Sequence, residues 1–538
     1  MLKNKLTDRL PEDERKSLLL CFVSTFIFGI VAHAYGFLND IFSHDSLNAL
    51  YSGADENMAK IAVGRFLVPV IRAVRGPVAL PWLIGIAALV WIALSTCLIL
   101  KIFDVRSKTA AVIISGFMVT NNTVAALTAT YVHELDIDMF ALLLSCLAAY
   151  LWKNSKKITG LIPVVLLSAA SMAIYQSYAE VTVTLIILVL ILETLENGKL
   201  KDMFLKGVRG AVSVGVAAGI YFVLNKLICR LFNTAALERV DVTAEYENSL
   251  LQRFLMIFKT IAIPFFSPPT VILTIVIAAV NGLIFLGIAV AVIVLWKKNK
   301  IAVGGKLFTL LLIAMLPLGM DFVCLLTHMG VHDIMIFSFW FIYVFAVVMF
   351  FRYPWLENRE RKKKVFTVVS LLLVGTVIWN NVLVSNTVYL KKDMEKDVTL
   401  SMINRIIDDL EERDDYVIGE TEVSFAGYPD IHTIYPGFKK VSHMVGLHAT
   451  TTTGTFAYTD FYNAYDNLFK YYFNYPINVS DAIYTDDERL KDVPSYPEDG
   501  YIQNIDGILV VKLGDGEYPS IGKNNLEEEY RDLKNLIS

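Results

Sequence analysis

The run Asn39-Asp40-Ile41-Phe42-Ser43-His44-Asp45-Ser46 follows directly on an apolar stretch long enough to cross a bilayer, which holds two carboxylates and an imidazole at a membrane surface. A carboxylate there can accept a proton from a hydroxyl, and a neighbouring histidine can tune it. More acids fall at the same end of later apolar runs: Asp55 and Glu56, then Glu134, Asp136 and Asp138, then Glu180, then Asp321 and Asp333. Asp321 follows Pro317 and Gly319 and is expected a turn or more below the surface. An ionised Asp near a helix centre costs about 2.5–3.5 kcal/mol on insertion scales, so such acids persist where they are wet, paired or in use. Each alone is accounted for as a solvated loop acid; the whole set, flanking several spans, points to a site.

Cations accompany these acids. Arg65, Arg72 and Arg75 sit in an otherwise apolar stretch, Ile61 to Val74, at spacings of seven and three that bring them near one helical face. That spacing predicts a helix lying in the interface plane with its guanidinium groups aimed at phosphate, to which Arg offers paired donors. Anchoring to anionic lipid is the plainer account of the same residues.

The elements that must hold these groups are membrane spans. The chain has 538 residues, of which 55% are hydrophobic and only 19% charged, with mean hydropathy +0.53, beyond what soluble chains carry. At roughly 20 apolar residues per helical span, about eleven runs qualify: 17–37, 78–102, 109–127, 137–152, 158–176, 179–194, 206–229, 269–296, 305–326, 334–351 and 365–386. The fold class is therefore an all-α polytopic membrane bundle. Ala32-His33-Ala34 after a basic and then apolar segment has the form of a signal-peptidase site, but the apolar run continues to Leu38, which favours an uncleaved anchor.

Basic residues give the expected orientation. Lys3, Lys5, Arg9, Arg15 and Lys16 precede the first run, and alternate loops carry Arg106 and Lys108, Lys153 to Lys157, Lys199 and Lys201, Lys297 to Lys300, and Arg359 to Lys364. The loops at 128–136 and 327–333 hold no Lys or Arg. This alternation predicts a cytoplasmic N-terminus, an odd number of spans and an extracytoplasmic tail. Net charge −4 and the scatter of basic residues among thin loops argue against a nucleic-acid partner. The five cysteines lie in or beside apolar runs without metal-ligand spacing, so neither disulfides nor a cysteine metal site are expected.

Two units are predicted: a membrane unit over 1–386 and a polar, tyrosine-rich C-terminal unit over 387–538, outside the membrane. The second opens with Leu400, Ile403, Ile406, Ile407 and Leu410 at helical spacing, followed by strand-like runs at Tyr416–Ile418 and Gly507–Leu513. It reads as a small α/β domain. The aromatic run from Phe456 to Pro476 suits the core of that domain better than a sugar-stacking surface.

Outer acids, an arginine-bearing interfacial helix and a wide apolar bundle suit transfer of a sugar from a polyprenyl phosphate carrier. A phosphate leaving group needs no strong acid, so one carboxylate to take the acceptor proton and cations to steady the phosphate suffice. No Gly-rich nucleotide-binding loop is present in the sequence, and this chemistry needs none.

Several short motifs, in order, carry a resemblance: Phe42-Ser43-His44-Asp45-Ser46-Leu47, Gly64-Arg65-Phe66-Leu67 with Pro69, Arg75-Gly76, Pro81-Trp82-Leu83-Ile84-Gly85, Val119-Thr120-Asn121, Leu135-Asp136-Ile137-Asp138 and Tyr175-Gln176-Ser177-Tyr178. Over roughly residues 20 to 195 the chain resembles the type II glucosyltransferase family of phage-type O-antigen modification, within the C superfamily of glycosyltransferases. The resemblance implies a multi-spanning, inverting enzyme with undecaprenyl-phosphate glucose as donor, a bacterial surface polysaccharide as acceptor and no obligatory cofactor. It implies a base in the first outward loop, Asp45 or Asp40, with His44 as a tuning or sugar-contacting neighbour. Arg65, Arg72 and Arg75 become donor-phosphate ligands. Glu134, Asp136 and Asp138 become second-loop acids that orient the acceptor, where a divalent cation is allowed but not required. Tyr175, Gln176, Tyr178 and Asp321 become sugar contacts. A lipid-linked glycan transporter would be expected to show repeated halves and midplane acids, and a membrane scaffold would leave Asp45 and Arg65 without a role. A polymerase or ligase using a pyrophosphate-linked donor is the nearest enzymatic alternative.

Overall fold

The computed structural model describes residues 12–41, 46, 54–196, 199–235, 250–325, 331–353, 355, 360–427, 444–447, 468–470, 472–480, 484 and 487–514. Helix α1 (Glu12–Leu38) lies against α4 (Pro81–Ile102) and α5 (Lys108–Thr120), and α4 against α7 (Leu135–Asn154). Pro81 starts α4 at a position where the missing N–H costs nothing, and the helix that follows is apolar on all sides, as a buried or lipid-facing span must be.

At Asn121 the chain steps from α5 into α6 (Asn122–Thr130). The Asn121 Oδ1 accepts from the Val124 N–H at 3.2 Å, while its Nδ2 donates to the Met118 carbonyl at 2.8 Å. One side chain thus serves both helix ends where water cannot. A tight turn over Val132–Glu134 then leads into α7, so Glu134, Asp136 and Asp138 crowd the start of that helix, where negative charge is favoured. Helices α8 (Ile162–Ile174) and α9 (Tyr178–Leu195) are joined by the short link Tyr175-Gln176-Ser177. Helices α10 (Leu200–Leu231), α12 (Thr274–Lys298) and α13 (Val303–Met320) turn apolar side chains such as Val212, Leu227, Leu286 and Leu311 outward, as contact with lipid requires.

Among the described residues nine helices are long and apolar enough to cross a membrane, and the runs expected at 158–176 and 334–351 form two shorter apolar helices, Ile158–Ile174 and Phe337–Arg352. An amphipathic helix, α11 (Leu250–Phe266), was not among the expected elements. The single interfacial helix expected over Ile61–Val74 is two helices instead: α2 (Ala54–Ala62) and α3 (Val68–Arg75). They are separated at Gly64, whose φ of +78° no β-carbon-bearing residue adopts easily.

The two ends of the bundle differ in charge. At one end Lys153 binds Asp104 at 2.7 Å, Arg352 at the close of α14 (Phe341–Arg352) binds Glu196 at 2.5 Å, and Ser17 donates to the Arg106 carbonyl at 3.2 Å. These contacts gather the basic loops on one side. The turn at Glu134 and the Tyr175 link lie at the other end of the same helices.

The last helix, α15, runs unbroken from Glu360 to Glu411, 52 residues or roughly 78 Å at 1.5 Å per residue, so residue 386 lies inside it. Its far end buries Met402, Ile403, Ile406 and Leu410 against a four-stranded sheet ordered β2 (Asn478–Val479), β1 (Glu422–Ala426), β4 (Ile508–Lys512), β3 (Ile502–Ile505). The β1/β2 and β1/β4 pairs are parallel, and β3/β4 is a hairpin turning through Asp506-Gly507, both at positive φ. Residues 416–418 are a turn and not a strand; β1 begins at Glu422. Leu468 and Phe469, from the described part of the aromatic run, lie in this core.

Candidate active site

At the acidic end of the bundle, Glu134 gathers three cations. Its Oε1 accepts from Lys60 Nζ at 2.7 Å and Arg72 Nη2 at 2.8 Å, and its Oε2 faces Arg65 Nη1 at 3.3 Å. Glu56 adds a second carboxylate, 3.1 Å from Arg72 Nη2 and 3.4 Å from Lys60. Arg75 Nη1 donates to Asp136 Oδ1 at 2.7 Å and to the His133 carbonyl at 2.8 Å. Arg72 is only 2% exposed, so the arginines turn toward the second-loop acids while Val70 and Val74 of the same helix face outward.

The Gly64-Arg65 turn is fixed from below. Gln176 Nε2 donates to the Val63 carbonyl at 2.8 Å, and the Tyr221 hydroxyl donates to the Gly64 carbonyl at 3.1 Å. A β-carbon at Gly64 would meet Tyr221 Oη and lie 2.8 Å from Gln176 Nε2, so both the backbone angle and the space call for glycine. The turn places the Arg65 guanidinium over the Tyr175 ring, 3.9 Å from its centroid. Burial would lower the Arg65 pKa, but Tyr175, Glu134 and Asp138 outweigh it and hold the guanidinium above its ordinary value. Asp138 is buried within electrostatic reach of Arg65, Lys60 and Tyr178.

The cluster is not saturated. Arg65 Nε, Arg72 Nε and Nη1, and Arg75 Nε and Nη2 are buried without a hydrogen-bond partner, as is the Tyr178 hydroxyl. Buried N–H donors of a charged group are costly to leave unmade, so this pattern marks a place for an anion.

The structure therefore brings Arg65, Arg72, Arg75, Glu134, Asp136, Asp138, Tyr175, Gln176 and Tyr178 to one end of the bundle. Asp45 and His44 lie outside the described residues. Asp40 is exposed at the mouth of α1 and accepts from the Tyr472 hydroxyl at 2.8 Å, while Lys396 Nζ donates to its carbonyl at 3.2 Å. Burial first, and the Asp40 carboxylate second, raise the Tyr472 pKa, so the phenol keeps the proton it donates. Asp321 stands apart from the arginines, buried at the end of α13 within electrostatic reach of Glu180, whose Oε1 accepts from the Val323 N–H at 2.8 Å.

Sequence reasoning passed over Lys60, His133 and Tyr221 and gave Glu56 no specific role. Glu56 and Lys60 are spaced as an ordinary i,i+4 pair on an amphipathic helix, and only the approach of α7 gives them a second partner. Among the described residues Glu56, His133 and Glu134 have ligand atoms within 4.8 Å of one another, a spacing that could hold a metal ion. Glu56 Oε1 and Glu134 Oε1 already bind Lys60 and Arg72, so this donor set is committed to the protein's own cations. An apolar cavity of about 700 Å³ between α12, α14 and α15 reaches Lys298 and Tyr353 at the basic end and takes no part in this cluster.

No curated protein and no solved structure matches the chain. The family described as Glucosyl transferase GtrII matches residues 34–351, more than half of the chain and all of the arginine–acid cluster. The chain belongs to the glucosyl transferase GtrII family.

Proposed function

We propose that this protein transfers glucose from a polyprenyl-phosphate carrier to a surface polysaccharide at the outer face of a bacterial cytoplasmic membrane, with inversion at the anomeric carbon. The observation that carries this reading is the set of buried guanidinium nitrogens on Arg65, Arg72 and Arg75 that have no partner. Their planar forks match phosphate oxygens, and Glu134 and Asp136 hold each arginine by one nitrogen only, which leaves the others for a ligand.

The acceptor oxygen attacks the anomeric carbon as the bond from that carbon to the phosphate oxygen breaks. The bond electrons leave with the phosphate, which the arginines stabilise, and the hydroxyl proton passes to Asp45 or Asp40. Attack opposite the leaving group inverts the centre. Asp136 and Asp138 orient acceptor hydroxyls, and Tyr175, Gln176 and Tyr178 border the sugar. The basic end of the bundle faces the cytoplasm, with the N-terminus, and the C-terminal unit lies outside.

Mass spectrometry and linkage analysis of the host polysaccharide test this, in cells with no copy of the gene, the wild type, Asp45→Asn, Asp40→Asn or Arg72→Lys at matched membrane levels. The expected result is a hexose branch present with the wild type, absent in the deletion and in one Asn variant, and reduced about tenfold or more with Arg72→Lys, on the scale of one lost charge-assisted hydrogen bond. An unchanged glycan in every strain overturns the proposal.

A further inference from the structure

Glu395 is fully buried, and neither of its carboxylate oxygens has a hydrogen-bond partner. Lys392, one turn earlier on the same face of α15, is 3% exposed and makes no hydrogen bond to either Glu395 oxygen. A desolvated carboxylate with both oxygens unmatched is a feature that folding alone disfavours. Lower on this face, Ser385, Val388 and Tyr389 are buried against the bundle, and Tyr389 shares the contact at Gly36 with Thr128 of α6. Both α6 and α15 rise toward the acidic end. Three residues beyond Thr128 is Tyr131 and three beyond Tyr389 is Lys392, an equal climb of roughly 4.5 Å. Glu395 lies a further three residues, roughly 4.5 Å, along α15 beyond Lys392. Its neighbour Lys396 donates to the Asp40 carbonyl, which ties this part of α15 to the first outer loop.

We infer that Lys392 and Glu395 form a subsite for the hydroxyl groups of the acceptor glycan, an assignment that rests on the glycosyltransferase reading above. A neutral polyol suits both charges: its hydroxyls donate to Glu395, and its oxygens accept from Lys392. A metal cation would be repelled by the lysine, and a phosphate by the glutamate. Acceptor bound here lies on the stretch of α15 that Lys396 ties to Asp40.

The test uses the full-length protein in lipid nanodiscs and, as probe, the polysaccharide released from host cells lacking the gene, with binding measured without donor. Glu395→Gln keeps the shape and removes the charge; Lys392→Met removes the partner cation. The expected result is about tenfold weaker glycan binding in each variant, with unchanged binding of polyprenyl-phosphate glucose and an unfolding midpoint equal to or above that of the wild type. Glycan binding within twofold of the wild type in both variants overturns the inference, and so does a wild type that does not bind the glycan. Loss of donor binding or of the unfolding midpoint in both variants also overturns it, because either marks a structural role. The transferase reading is judged separately by the glycan analysis in cells, which requires no measurement at Glu395.

Discussion

Glu134 is the residue on which the cluster turns, because one buried carboxylate holds Lys60, Arg65 and Arg72 together. Replacing it by an isosteric amide leaves three cations with only Glu56, which pairs with Lys60 and Arg72, and the more distant Asp138 as counter-charge. Breaking a buried ion pair from one side costs about 3–5 kcal/mol. Glu134→Gln is thus expected to unfold at a clearly lower temperature than the wild type in detergent, while Glu488→Gln, exposed on the C-terminal unit, leaves the midpoint unchanged. Equal midpoints for both would mean that the cations are held by other means. The arginines and second-loop acids were legible in the sequence because ionic residues inside apolar stretches demand a reason. Their pairing was not, since nothing in the spacing of residues 65 to 75 says that α7 delivers Glu134 and Asp136 to them.

At the scale of elements, the break between α2 and α3 is set by Gly64, and two glycines separate its causes. Gly64 and Gly76 both have positive φ, but a β-carbon at Gly76 meets nothing within 4 Å, whereas at Gly64 it meets Tyr221 and Gln176. Backbone strain of about 1 kcal/mol applies to both alanine variants; displacement of the two clamping side chains applies to Gly64→Ala alone. Hexose transfer, read from the glycan of cells at matched expression, is expected to fall well over about tenfold in Gly64→Ala and no more than about fivefold in Gly76→Ala, the latter matching about 1 kcal/mol of strain alone. Similar losses in both would remove the clamp from the argument. The apolar runs predicted their helices well, because length and hydropathy decide a span with little help from tertiary structure. The stretch from 61 to 74 misled because the reason for its break lies more than a hundred residues downstream, at Gln176 and Tyr221. Likewise, the polar middle of α15 hides a continuous helix that its two ends and the packing at Tyr389 and Met402 keep in register.

For the whole molecule, charge divides the bundle into a basic end held by Lys153–Asp104 and Arg352–Glu196 and an acidic end that carries Glu134, Asp136 and the root of the C-terminal unit. The proposed reaction requires the acidic end to face outward, where a lipid-carried donor meets a surface glycan. Cysteine chemistry can read this directly, since four native thiols are buried and Cys97 is half-buried inside the bundle. Lys156 and Asp414 are exposed at opposite ends. In intact cells with a permeabilised outer membrane, a membrane-impermeant maleimide is expected to label Asp414→Cys fully and Lys156→Cys only after lysis, with the parent protein unlabelled in both conditions. The reverse pattern would turn the arginine cluster toward the cytoplasm, where the same residues would act on a donor before its carrier crosses the membrane. Transfer at the outer face would then fail as a reading even if the glycan still carried its hexose, because glycan analysis reports that the sugar arrived and labelling reports from which side.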